Sequence, residues 1–134
     1  MTIETLKQCR KAAVDVRKAK KRLLEHKASA GSISGMRYGD APRGRGEPLA
    51  PQEAYMEKLE RLQEELEKCE CIWEPLEREI VKATKNLPVI TRRLIVGYYA
   101  FAGSWEEVNE RCGVSRKQSQ YKVRKAFEKI LEKA

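Results

Sequence analysis

The stretch GSWEEVNERCGVSRKQSQYKVRKAFEKIL, residues 103–131, decides how the rest of the chain is read. Ser104 offers a side-chain oxygen to the first turn of a helix beginning at Trp105. Glu106 and Glu107 follow at once, where the helix dipole favours anions. Gly113 can take the left-handed conformation that ends this short helix, and Ser115 caps the next, which is expected to run to about Leu131. A short helix, a turn of about three or four residues containing glycine and a longer helix form the helix-turn-helix pattern.

The chemistry of the longer helix divides by face. Ser119, Val123, Ala126, Phe127 and Ile130 fall on one side, while Arg116, Lys117, Gln120, Tyr121, Arg124 and Lys125 fall on the other. In a major groove arginine pairs with guanine edges and glutamine with adenine edges, whereas lysine and a capped helix start suit phosphate. The first turns of such a helix enter the groove. Ser115, Arg116, Lys117, Gln120 and Tyr121 are therefore the expected base readers, and Arg92, Arg93, Lys122, Arg124 and Lys125 the expected phosphate contacts. A solvated basic face on a structural helix would look alike if this helix stood alone. The glycine turn, the second cap and an apolar helix upstream tip the balance toward double-stranded DNA.

That upstream helix is written in VITRRLIVGYYAFA, apolar nearly all round, and Pro88 suits its first turn. Further back, Tyr55, Leu59, Leu62, Leu66, Cys69, Trp73, Leu76, Ile80, Ala83 and Leu87 repeat at spacings of four and three. A helix keeping one apolar seam over that length packs against another helix. Pro75 lies inside it and predicts a kink or brief break near Trp73. Residues 3–28 contain neither glycine nor proline and read as one helix with a weaker seam of Leu6, Cys9, Ala13, Val16, Lys20 and Leu23. Between the two long helices, residues 29–50 hold five of the eight glycines and two of the five prolines, which marks a flexible loop. Its RGRG segment reads as a solvated linker before it reads as a nucleic-acid contact.

Charge supports this layout. The net charge of +8 is split, with 12 Lys+Arg against 5 Asp+Glu in residues 1–50, 4 against 10 in residues 51–81, and 12 against 5 in residues 82–134. A basic first helix can fold back on an acidic second one as an antiparallel hairpin, the charges choosing the partner more than holding it. A homodimer through the 55–87 seam is the rival arrangement. The expected fold is all-α: a long, coiled-coil-like helical hairpin over residues 1–87, then a three-helix DNA-binding module over residues 88–134.

The segment RRLIVGYYAFAGSWEEVNERCGVSRKQSQYKVRKAFEKIL resembles the promoter-reading C-terminal helix-turn-helix of bacterial sigma factors. It is most similar to the version in small phage late-transcription regulators of the RinA/ArpU type. The matching positions are Tyr99, Ser104 to Val108, Gly113, Ser115 and Ala126. The pattern departs at Asn109, where a small alanine is usual, at Ser119, usually apolar, and at Ala102, usually glycine. The resemblance implies a late-gene activator acting with host RNA polymerase.

Other classes leave weaker traces. One histidine, His26, no glycine-rich phosphate loop and no paired carboxylates outside the acidic helix argue against an enzyme and against a cofactor. Cys9, Cys69, Cys71 and Cys112 lack zinc-ligand spacing and read as reduced thiols in a cytoplasm, with no metal. No run approaches the roughly 20 apolar residues of a membrane span, and the N-terminus lacks a signal-peptide core. The remaining alternatives are a phage small terminase subunit that recognises a packaging site as a ring, and a helical protein-interaction adaptor.

Overall fold

The computed structural model describes residues 1–30 and 51–131. Every regular element among them is helical: α1 (Ile3–Ala28), α2 (Pro51–Ala83), α3 (Val89–Ile95) continuing into a π turn (Val96–Ala100), α4 (Trp105–Cys112) and α5 (Arg116–Ile130). The glycine-rich connector with its RGRG segment falls, beyond Ala30, outside the described residues.

Helix α1 has the expected span, but its buried stripe is Leu6, Cys9, Ala12, Ala13, Val16, Ala19 and Leu23. Lys20 is exposed, not part of the seam. Ala19 takes its place, since a spacing of three from Val16 and four to Leu23 serves the same face without burying an ammonium. Helix α2 keeps the expected seam, with Leu62 and Ile80 buried and Tyr55, Leu59, Leu66, Cys69, Trp73, Leu76 and Ala83 half-buried. Of the kink or brief break expected at Pro75, the break does not occur, for the helix runs through it unbroken. Pro75 and Cys71 both lie on the exposed side. There the Cys71 carbonyl that loses its N–H partner can turn to water. The helix also stops at Ala83, so Leu87 sits in the following turn. Thr84 closes α2, its hydroxyl donating to the Ile80 carbonyl at 2.8 Å.

The chain divides into two compact units, Arg17–Lys68 and Met1–Val16 with Cys69–Ala134. In the first, the end of α1 meets the start of α2. The His26 ring stacks on Tyr55 at 4.2 Å, its Nε2 lies 2.9 Å from the Tyr55 carbonyl, and Arg22 approaches Glu65 at 4.0 Å. In the second, Leu6 and Cys9 of α1 and Ile80 of α2 join Leu94, Ile95, Ala100, Val108, Val123 and Ala126 in one apolar cluster. Burial pushes the Cys9 thiol up to about 11, helped by the Glu77 carboxylate, so it serves the core as a neutral group.

The apolar stretch after Pro88 is not one α-helix. It widens at Val96–Ala100, where the Phe101 N–H reaches back to the Val96 carbonyl at 3.1 Å, and the chain then turns through Ala102 at φ 57°. Gly97 and Gly103 make room for the turn. A Cβ on Gly97 would lie 3.2 Å from Val108, and one on Gly103 3.0 Å from the same side chain.

Candidate nucleic-acid interface

Local sequence sets the ends of α4 and α5. The Ser104 hydroxyl accepts from the Glu107 N–H at 3.2 Å, starting α4. Gly113 ends it at φ 67°, its N–H reaching the Glu110 carbonyl while the Val114 N–H reaches that of Asn109, a Schellman pair. Two residues on, Ser115 opens α5 with a full capping box. The Ser115 oxygen accepts from the Gln118 N–H, and the Gln118 side chain accepts from the Ser115 N–H. Ser104, Gly113 and Ser115 thus hold the positions that the sequence assigns them. The partner role of Gln118 was missed, although Ser-x-x-Gln is its usual signal.

Packing fixes which face α5 shows. Ser119, Val123 and Ala126 are buried, and Phe127 and Ile130 half-buried, as their spacing predicts. Arg116, Lys117, Gln120, Tyr121, Arg124 and Lys125 are all exposed, as is Ser115. They form two rows. Arg116, Gln120 and Arg124 line a groove of about 890 Å³ together with Ser104, Trp105, Glu106 and Asn109 of the α4 side and Ser119, Val123 and Phe127 at the base. Lys117, Tyr121 and Lys125 stand outside it, with the Lys125 ammonium 5.5 Å from the Tyr121 ring centroid. Lys122 is half-buried and outside the groove. Arg92, half-buried, and Arg93, exposed, are carried by α3 and do not line it either.

The groove wall has a support that sequence spacing could not reveal. Arg10 of α1 donates through Nη1 to the Tyr98 carbonyl at 2.6 Å and to the Gly103 carbonyl at 3.0 Å. Its guanidinium lies 3.8 Å above the Tyr98 ring, and Tyr98 stacks on the Trp105 indole at 3.9 Å. One cation thus holds both ends of the irregular 98–103 segment and, through Tyr98, the aromatic ring at the start of α4. Burial raises the Tyr99 phenol above its usual value, Tyr98 adding to the effect and Arg10 opposing it. On the α2 side, Trp73 donates through Nε1 to the Ala100 carbonyl at 2.6 Å.

Among the described residues no cluster of His, Cys, Asp or Glu could hold a metal ion, all four cysteines are free, and no helix is long and apolar enough to cross a membrane. Set against protein-family models, curated proteins and solved structures, the chain matches none.

Proposed function

We propose that the chain is a sequence-specific double-stranded-DNA-binding transcription regulator, of the kind phages use to activate late genes with host RNA polymerase. In this reading α1 and α2 form an antiparallel hairpin, and α3 to α5 form the helix-turn-helix module. The observation that carries it is the double row on α5. Six polar or basic side chains stand exposed on a helix whose start is fixed by its own capping box and whose opposite face is packed. Such a surface suits a groove lined with phosphates and base edges. Ser115, Arg116, Lys117, Gln120 and Tyr121 are assigned to bases. Arg92, Arg93, Lys122, Arg124 and Lys125 are assigned to phosphate, Arg92 and Lys122 contributing least because they are half-buried.

Ala102 adds a smaller support for the family resemblance. Its backbone holds the left-handed conformation that glycine, usual at this place in the pattern, adopts at no cost. Exposed Ile72, Val89 and Phe101 suit a protein partner, for which polymerase is the proposed one.

The test compares Gln120→Ala with Lys125→Ala on a selected site and on random duplex, over a range of salt. The first variant is expected to lose about 1–3 kcal/mol on the selected site and little elsewhere. The second is expected to weaken both duplexes alike and to flatten the log–log salt slope by about one. Equal losses on every sequence would reduce α5 to an electrostatic patch, and no binding to any duplex would leave the adaptor reading. A mass in solution matching a large ring would favour the terminase reading over a monomeric or dimeric regulator.

A further inference from the structure

We propose that Arg10 is a positioning residue for DNA binding: it locks the joint between the arginines of α3 and the base readers of α5, so that both engage one duplex in register. The inference rests on the DNA reading above and deepens it. Arg92 and Arg93 lie on α3, and Ser115, Arg116, Lys117, Gln120 and Tyr121 at the start of α5. Between them runs the irregular 96–103 segment. It leaves its π turn at Ala100, and Ala102 holds a left-handed φ of 57° that alanine rarely adopts. The fixings of this joint come from other helices. Its Tyr98 and Gly103 carbonyls accept from Arg10 of α1 at 2.6 and 3.0 Å, and its Ala100 carbonyl accepts from Trp73 of α2 at 2.6 Å.

Arg10 reaches further than its two bonds. Its guanidinium covers the Tyr98 ring, and Tyr98 stacks on Trp105 with planes 9° apart. Tyr99 stands edge-on to Trp105 at 6.3 Å and tilts against Phe127 of α5 at 6.0 Å. A contiguous run of contacts thus leads from α1 through the joint to the first residue of α4 and to α5. Both acceptors of Arg10 are main-chain carbonyls, so its bonds specify where the backbone sits rather than neutralise an acid. Phosphate contacts set the register within which base edges are read. With a loose joint, the α3 arginines and the α5 readers can each still touch a duplex, but not in one register. The selected site loses most by this, because a random duplex has no register to keep. Arg10 itself is half-buried with Nη1 turned to the protein, and is not counted among the phosphate contacts.

The test measures affinity of the full chain for a selected site and for random duplex over a range of salt, where circular dichroism shows each variant as helical as the parent. Arg10→Gln is expected to weaken the selected site about two- to thirtyfold and random duplex less, with the log–log salt slope unchanged. Tyr98→Leu keeps the carbonyl but removes the stack, and should also weaken the selected site. The double variant should lose less than the product of the two factors. Arg10→Lys keeps the charge without the planar fork and should not recover the parent affinity. The indole N–H resonance of Trp105, which stacks on Tyr98, should shift in Arg10→Gln. Parent-like binding by Arg10→Gln overturns the proposal. So does a salt slope flattened by about one, which would make Arg10 a phosphate contact. Full recovery in Arg10→Lys, which would make it a bare charge, or losses that multiply in the double variant, also overturn it. A parent chain that binds no duplex sinks the DNA reading and this proposal together, whereas a binding parent beside an indifferent Arg10→Gln sinks the proposal alone.

Discussion

Helices α1 and α2 serve both compact units, yet the units are built differently. Among the described residues of Arg17–Lys68, a helix meets a helix and nothing more. Ala19, Leu23 and Leu62 are the buried apolar residues described there, while Leu24 and Met56 stay exposed. In Met1–Val16 with Cys69–Ala134, the same two helices are joined by α3, the π turn, α4 and α5, and Leu6, Cys9, Ile80, Leu94, Ile95 and Ala100 are entirely shielded. An identical seam pattern therefore gives a thin contact where there is one partner and a true core where there are several. Local opening is expected to follow that difference, with backbone amides of the two-helix unit exchanging first.

The sharpest way to break this comparison is one substitution made in both units. Leu94→Ala is expected to cost about 2–5 kcal/mol, because a cavity inside a many-sided core cannot collapse. Leu62→Ala should cost about 2 kcal/mol or less, mostly lost transfer energy, since a two-helix contact can close on the gap. Urea midpoints give the magnitudes and hydrogen exchange gives the reach. If Leu62→Ala loosens α5 amides as much as those of residues 51–68, the units are not separate in energy.

A finer probe contrasts two glycines of the larger unit. Gly103→Ala pushes a methyl to 3.0 Å from Val108 Cγ2 and 3.2 Å from the Gly97 carbonyl oxygen, both in packed surroundings. It should cost about 1–3 kcal/mol. Gly113→Ala meets nothing within 4 Å, so only its φ of 67° opposes it. About 1 kcal/mol is expected there. Equal Tm losses in the two variants would show that Val108 gives way freely.

The smallest expected effect concerns alkaline pH. Folding lifts the Cys9 thiol from 9.0 to about 11, so the folded chain holds this proton more tightly than the unfolded one. Its contribution is complete below pH 9 and is lost as pH climbs toward 11. Urea midpoints between pH 8 and pH 11 should fall, and Cys9→Ala should make the fall shallower. An unaltered slope in the variant would assign the loss to other groups.

Where the chain obeys local rules, the sequence could be read closely. Ser104, Gly113 and Ser115 act through neighbours a few residues away, and the α2 seam repeats often enough to survive Pro75. Other features depended on contacts that no spacing announces. Lys20 and Ala19 compete for one register position, and only the cost of burying an ammonium separates them. The π turn depends on Gly97 and Gly103 lying against Val108, a fit between elements. Asn109 stands out in the sequence only as a departure from the usual alanine, and spacing does not announce that its oxygen is enclosed. Of the expected site, Arg116, Gln120 and Arg124 do share a groove. Arg92 and Arg93 were grouped with them on charge alone, and charge does not reveal which helix face an arginine occupies.

Arg10 carries a consequence for how such a gene can be rearranged. The segment from residue 88 onward looks like a cassette that could be exchanged whole between proteins. Its 98–103 segment, however, is tied by the Arg10 guanidinium of α1, and Leu6, Cys9 and Ile80 complete its core. A crossover between α1 and residue 88 would deliver the later segment without its fastening, unless the recipient brings an equivalent cation and apolar face at the right place. Inheritance of this module therefore couples the codons of α1 to those of residues 98–103, and swaps that keep function should be those that move both together.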